Sequence, residues 1–138
     1  MSIAVIYWSG TGNTEAMAKA IESGAREKEV EVSLFDVSKV DASVVEKYDK
    51  FAFGCPSMGV EVLEEAEFEP FFASIETKLS GKKIALFGSY GWGDGEWMRN
   101  WQEQVEAAGA VLFEEGLIQQ EAPDEGVCKE FGARFAGF

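Results

Sequence analysis

The stretch Tyr7-Trp8-Ser9-Gly10-Thr11-Gly12-Asn13-Thr14, YWSGTGNT, decides how the rest of the chain is read. It follows the apolar run IAVI and precedes a pattern in which Met17, Ile21 and Ala25 recur every four residues, one face of a helix. A buried strand over Ser2–Trp8, a tight polar loop and a helix from Asn13 to about Lys28 are expected. At a helix N-terminus the first N–H groups lack intrahelical partners, and the positive end of the helix dipole lies behind them. Gly10 and Gly12 let that backbone approach an anion, and Ser9, Thr11 and Thr14 add neutral donors. The loop therefore reads as a phosphate cradle. It is not a nucleotide P-loop, because no Gly-Lys-Ser/Thr follows. It is not G-x-G-x-x-G either, because Glu15 stands where the third glycine would be. A phosphate met without a cation or metal suggests a monophosphate on a tightly held cofactor.

Outward from this loop, strands and helices alternate. Val30–Val37 reads as a strand and KVDASVVEKY as weakly helical. Lys50–Cys55 is a short buried strand. Phe71, Ile75 and Leu79 mark a helix whose first turn holds Pro70, where a missing N–H costs little. Lys82–Tyr90 is the clearest strand. Trp97, Trp101, Val105 and Ala108 form the next helical stripe, which Asp94 can cap and Gly109 can end. Ala110–Gln120 is the last strand, with a break near Gly116. Pro123 opens a final helix with Val127, Phe131 and Phe135 facing inward. Five strands alternating with helices imply an α/β fold, one doubly wound parallel sheet with helices on both faces. At 138 residues a single domain, 1–138, is expected. Ligands of such sheets sit beyond the C-terminal strand ends, where the strand order switches.

Two further loops fall at such ends. Cys55-Pro56-Ser57-Met58-Gly59-Val60-Glu61 follows the third strand. A Cys-based phosphatase would need an Arg six residues after the thiol, and that position is Glu61. Gly59 suits a turn with positive φ, and Met58 offers a soft apolar surface. Gly88-Ser89-Tyr90-Gly91-Trp92-Gly93-Asp94-Gly95 follows the fourth strand. An indole carried among four glycines is poorly explained by core packing. A flat aromatic ligand stacked on Trp92 explains it better. In the order 2-1-3-4-5 these three loops are neighbours. A phosphate end, an apolar and hydrogen-bonding middle and an aromatic wall fit flavin mononucleotide, FMN.

Composition narrows the partners. The net charge is −13 and His is absent, which argues against nucleic acid and anionic membranes and favours a basic partner. Cys55 and Cys128 have no metal-site spacing and read as buried free thiols. No window is long and apolar enough to span a bilayer, and no basic-then-apolar leader opens the sequence. A cytoplasmic monomer is the expectation.

Taken together, YWSGTGNTE, GCPSMGVEVLEE and GKKIALFGSYGWGDGEWM resemble the flavodoxins, specifically the short-chain type of anaerobic bacteria, over essentially the whole chain. That family is itself a standard instance of the 2-1-3-4-5 order with the flavin at the switch point. The resemblance implies a low-potential one-electron carrier on non-covalent FMN, cycling chiefly between neutral semiquinone and hydroquinone. It implies that Ser9, Gly10, Thr11, Gly12, Asn13 and Thr14 hold the phosphate. Met58 would pack on one ring face and Trp92 on the other. Glu61 would accept from the flavin N3–H, and the backbone of Gly91 to Gly93 would meet the pyrimidine edge. Ser89, beside Tyr90, would lie near the ribityl chain, and the Gly59 carbonyl would answer protonation at N5. Pro56, before Ser57, stands where some relatives use a Ser toward the phosphate. Val60 stands where a small polar turn residue is common. Glu61, Glu64, Glu65, Glu67, Glu69 and Asp94 would crowd the flavin with negative charge and disfavour a second one. The competing reading is a small FMN-dependent quinone or nitro reductase on the same fold, which would need a nicotinamide site and room above the ring. A receiver domain lacks its acidic residues here.

Overall fold

The computed structural model describes residues 2–138. Strands β1 (Ser2–Tyr7), β2 (Glu31–Asp36), β3 (Lys50–Gly54) and β4 (Lys83–Tyr90) alternate with helices α1 (Asn13–Arg26), α2 (Phe68–Ile75) and α3 (Glu96–Ala107). Two short strands, β5 (Val111–Leu112) and β6 (Leu117–Gln120), and helix α4 (Glu125–Ala136) complete the order. All strand pairs are parallel, in the order β2-β1-β3-β4-β5, with β6 also on β4. This is the expected doubly wound sheet.

Side-chain alternation on the central strands builds two cores. Ala4 and Ile6 of β1, Phe51 and Phe53 of β3, and Ile84 and Leu86 of β4 face α2 and α3. Ile3 and Val5, Ala52, and Ala85 and Phe87 face α1 and α4. Small residues on the second face let its helices sit close. α1 and α4 approach until a Cβ at Gly24 would overlap the Lys129 carbonyl and one at Gly132 the Ile21 carbonyl.

Several expected elements differ in detail. The fifth strand is two pieces, Val111–Leu112 against Lys83–Ile84 and Leu117–Gln120 against Phe87–Tyr90. Between them Phe113 turns into the core against Phe131 and Phe135, and Glu114 takes a left-handed φ of 49°. KVDASVVEKY forms a 3₁₀ turn over Ala42–Glu46, not an α-helix. The Asp41 carboxylate accepts from the Ser43 N–H at 2.9 Å, while β-branched Val44 and Val45 are buried on the sheet. α2 ends at Ile75 and a 3₁₀ turn, Glu76–Lys78, carries the chain to buried Leu79. α4 starts at Glu125, capped by Asp124 through the Val127 N–H at 3.0 Å, so Pro123 precedes the helix. Val127 is exposed, and Cys128 takes the inward position with Phe131 and Phe135.

Candidate cofactor site

The loops after β1, β3 and β4 meet at the C-terminal edge of the sheet around a cleft of about 320 Å³. Ser9, Gly10, Thr11, Asn13, Thr14, Pro56, Ser57, Met58, Ser89, Tyr90 and Gly91 line it, with Trp8 and Glu121. The remaining expected residues, Gly12, Gly59, Val60, Glu61, Trp92 and Gly93, do not line this cleft.

The first loop is shaped by its own hydroxyl. Ser9 Oγ accepts from the Gly12 and Glu15 N–H groups at 3.1 and 3.2 Å, and Gly12 takes a φ of 97° at the helix N-cap. The N–H groups of Thr11, Asn13 and Thr14 find no acceptor among the described residues. These are the orphan donors that an anion at a helix N-terminus takes up. The Thr14 hydroxyl also joins two of the loops. Its buried Oγ1 accepts from the Ser89 N–H at 3.3 Å and lies 2.8 Å from Ser89 Oγ, so it ties the first loop to the third. Beneath the cradle, the Tyr7 hydroxyl donates to Glu15 at 2.8 Å. Burial and that carboxylate push the Tyr7 hydroxyl up to about 12.

The second loop is a tight hairpin. Met58 and Val62 exchange two backbone hydrogen bonds of 2.9 Å. Gly59 takes a φ of 51° and Glu61 one of 55°, so the left-handed strain in this turn falls on Glu61 and not on Val60. Val60, at the tip, is 81% exposed. Glu61 reaches the third loop, where its Oε1 accepts from the Gly95 and Glu96 N–H groups at 3.3 and 3.1 Å. It thereby caps α3. Asp94, expected in that role, pairs instead with Arg99 at 3.0 Å. Gly93 is required by this contact, since a Cβ there would lie 2.5 Å from the Glu61 carboxyl. Trp92 is 63% exposed, and Met58 is also exposed, unlike core residues.

Glu64, expected among the carboxylates around the flavin, is engaged in the fold. Its buried carboxylate accepts from Ala66, Glu67 and Phe68 N–H groups at 2.8 Å each and starts α2. Burial alone would raise its pKa, and those three donors outweigh it and lower it. Cys55 is buried, and burial pushes its thiol up to about 12, so it offers no thiolate nucleophile.

Trp8 and Glu121 are site residues that the sequence reading missed. Trp8 lies over Gly10, where an added Cβ would meet its ring at 3.0 Å, and its Nε1–H donates to Glu67 at 3.3 Å. Glu121 follows β6 with a φ of 54°, and its N–H donates to the Tyr90 carbonyl at 2.7 Å. Its signal was positional, as the residue directly after a strand at the sheet's C-terminal edge. No Lys or Arg lines the cleft, and among the described residues no cluster of three or more His, Cys, Asp or Glu could hold a metal. Unpaired donors in a cation-free cradle fit the phosphate of FMN.

The flavodoxin family model matches residues 5–132. The chain belongs to the flavodoxin family, whose members carry electrons on bound FMN. It is 52% identical over 134 residues to the flavodoxin of Clostridium beijerinckii, covering 96% of this chain and 97% of that protein. It is 42% identical over 130 residues to that of Megasphaera elsdenii, covering 94% and 95%. The solution structure of two-electron reduced Megasphaera elsdenii flavodoxin superposes with a TM-score of 0.91, covering 99% of both chains. Membership makes the protein an electron carrier that works with redox partners, not an enzyme with a substrate of its own. No described helix is long and apolar enough to cross a membrane.

Proposed function

We propose that this flavodoxin is a low-potential, one-electron carrier that cycles its FMN between neutral semiquinone and hydroquinone. In this reading it acts as a single-domain cytoplasmic monomer and meets partners through their basic docking surfaces. The observation that carries the reading is the cleft's charge. Neutral N–H donors form the phosphate end, Glu121 lines the cleft, Glu61 lies three residues beyond Met58 of its lining, and no Lys or Arg among the described residues lines it. A second negative charge there meets carboxylates and no counter-ion, so it is disfavoured.

FMN supplies the redox chemistry; the chain binds, orients and tunes. Ser9, Gly10, Thr11, Gly12, Asn13 and Thr14 are assigned to the phosphate, with Ser57 beside them. Pro56 brings no N–H of its own. Ser89 and Tyr90 are assigned to the ribityl region, and Gly91, Trp92 and Gly93 to the ring. Met58 is assigned to the opposite face. Glu61 keeps Oε2 free of any donor among the described residues, so it can cap α3 and accept a proton donor from the ring. The Gly59 carbonyl, which takes no backbone donor among the described residues, is free to turn.

Fluorescence titration tests the phosphate assignment. FMN should quench and bind at one per chain, and riboflavin should bind at least tenfold more weakly because the cradle's donors stay unpaired. Equal affinities would refute it. Potentiometric titration tests the low potential, with the second one-electron couple well below that of free FMN.

A further inference from the structure

Carbonyls alternate in direction along the end of β4. Those of Phe87 and Ser89 accept from the Cys55 and Ser57 N–H groups, on the β3 side, at 3.1 and 3.0 Å. The Tyr90 carbonyl faces the other way and accepts from the Glu121 N–H, just past β6, at 2.7 Å. An extended chain would next turn the Gly91 carbonyl back toward β3. Instead the Gly91 carbonyl accepts from Gln120 Nε2 at 3.3 Å, and Gln120 is the β6 residue in register with Tyr90. The alternation breaks there, beside the cofactor cleft that Gly91 lines. In a trans peptide the C=O and the N–H point in opposite directions. The Gly91 N–H, behind the Tyr90 carbonyl, and the Trp92 N–H, behind the Gly91 carbonyl, therefore both point away from β6, to the side of the loop after β3. Neither finds an acceptor among the described residues. Successive N–H groups aimed one way form a concavity for an electron-rich atom.

We propose that Gln120 is a positioning residue for the flavin, an inference that rests on the FMN reading above. Its amide holds the Gly91–Trp92 peptide turned over, so that Gly91 and Trp92 present their N–H groups together to an acceptor edge of the ring. Without that donor the peptide is free to return to strand alternation, which puts the Gly91 carbonyl where an N–H stood. The exchange matters most when the ring carries added electrons. A donor facing an electron-rich acceptor is strengthened, and a carbonyl in its place repels it. Gln120 is exposed and acts only through the loop it holds. The neighbouring Gln119 has a different task, since its Oε1 accepts from the Asp124 N–H at 2.8 Å, ahead of α4.

Gln120→Met keeps the length of the side chain and removes its donor. The variant should bind oxidised FMN about threefold more weakly and fully reduced FMN about tenfold more weakly, the scales of a neutral and a charge-assisted hydrogen bond. The two-electron midpoint read by potentiometric titration should therefore fall. Oxidised riboflavin should lose the same factor as oxidised FMN, because the ring is common to both and the phosphate cradle is untouched. In nitrogen–proton correlation spectra of the flavin-free variant, the Gly91 and Trp92 amide signals should move while those of Thr11 and Asn13 stay in place. Gln119→Met, an equal loss of one amide on the same strand, should lower the urea midpoint of unfolding and leave the redox midpoint where it was. Gln120→Glu, with an acceptor in place of the donor, should lower the redox midpoint further than Gln119→Glu, which adds the same charge. A redox midpoint that Gln120→Met leaves unmoved, equal shifts from the paired Gln119 and Gln120 variants, or Gly91 and Trp92 signals at their original positions would each overturn the inference, because Gln120 would then serve only the strand. A parent chain that binds neither flavin would overturn the FMN reading and this inference with it, whereas the preceding outcomes leave that reading intact.

Discussion

At Gly59 the backbone takes a φ of 51° and an added Cβ would meet nothing within 4 Å. Steric clash therefore cannot decide what an alanine does there; left-handed strain decides it, at about 1–2 kcal/mol. If rotation of the Gly59 carbonyl supports the one-electron-reduced state, Gly59→Ala should lower the first one-electron potential and raise the second. Each couple should shift by about tenfold at 1.4 kcal/mol per decade, and the semiquinone formation constant, which contains both, by about a hundredfold. Potentials that stay put would make the turn a passive wall. Val60 lies outside the left-handed region and is exposed, so its branching strains the turn less than its composition implies. Trp92 makes the opposite kind of test. At 63% exposure it contributes little to the fold, and Trp92→Ala should change unfolding free energy by no more than about 0.5 kcal/mol. The same variant should weaken FMN binding and leave the bound flavin more fluorescent. A variant that unfolds while quenching persists would make Trp92 a core residue.

Helix starts are the elements in which this chain differs most from a local reading. α2 begins on Glu64, four residues before Phe68, and α3 begins on Glu61, thirty-five residues before Glu96. The folded pKa of Glu64 is lowered, so its contribution is complete above the ordinary carboxylate range and is lost as pH falls through the folded value. Glu64→Ala should cost about 1–2 kcal/mol at neutral pH, the scale of a lost cap. It should also flatten the acid limb of the stability–pH curve measured by urea unfolding. An unchanged acid limb would mean that the carboxylate is not what holds α2. The same two residues explain what was legible in the sequence. The alternation of elements, the two-sided core and the three loops follow from period-2 and period-3.6 patterns, which are local, whereas the strand order is non-local and was implied by the resemblance. The capping of α3 by Glu61 depends on two loops meeting in space, so Asp94, adjacent in sequence, was the natural but incorrect candidate. The 3₁₀ turn at Ala42–Glu46 yields to sheet packing by Val44 and Val45, and the split of the last strand follows from Phe113 turning into the core. Glu121 enters the cleft only because β6 ends beside β4.

Over the whole molecule, a net charge of −13 on 138 residues sets a field that no single ion pair cancels. The five ion pairs found among the described residues tie up cations on exposed positions. Among the described residues, the cofactor cleft and the groove along α3 lined by Glu61, Glu65 and Glu69 are left with carboxylates and no Lys or Arg. A field of this kind acts on encounter more than on the final contact, raising the local concentration of cationic reactants at the electron's exit. Its range is the Debye length, about 30 Å at 0.01 M salt and about 3 Å at 1 M. Electron transfer from the reduced protein to small acceptors of matched potential and different charge isolates the effect, since no docking surface is needed. By stopped flow, the rate to a tripositive complex should fall by about tenfold or more as salt rises across that range. The rate to a trinegative complex should rise, and a neutral acceptor should be nearly indifferent. Substituting Glu65 and Glu69 by Gln should shrink the slope for the cationic acceptor more than the same change at Glu103 and Glu106, because only the first pair shares a groove with Glu61, on the loop that follows β3. Identical salt slopes for all three acceptors would mean that the acidic surface serves solubility and does not steer.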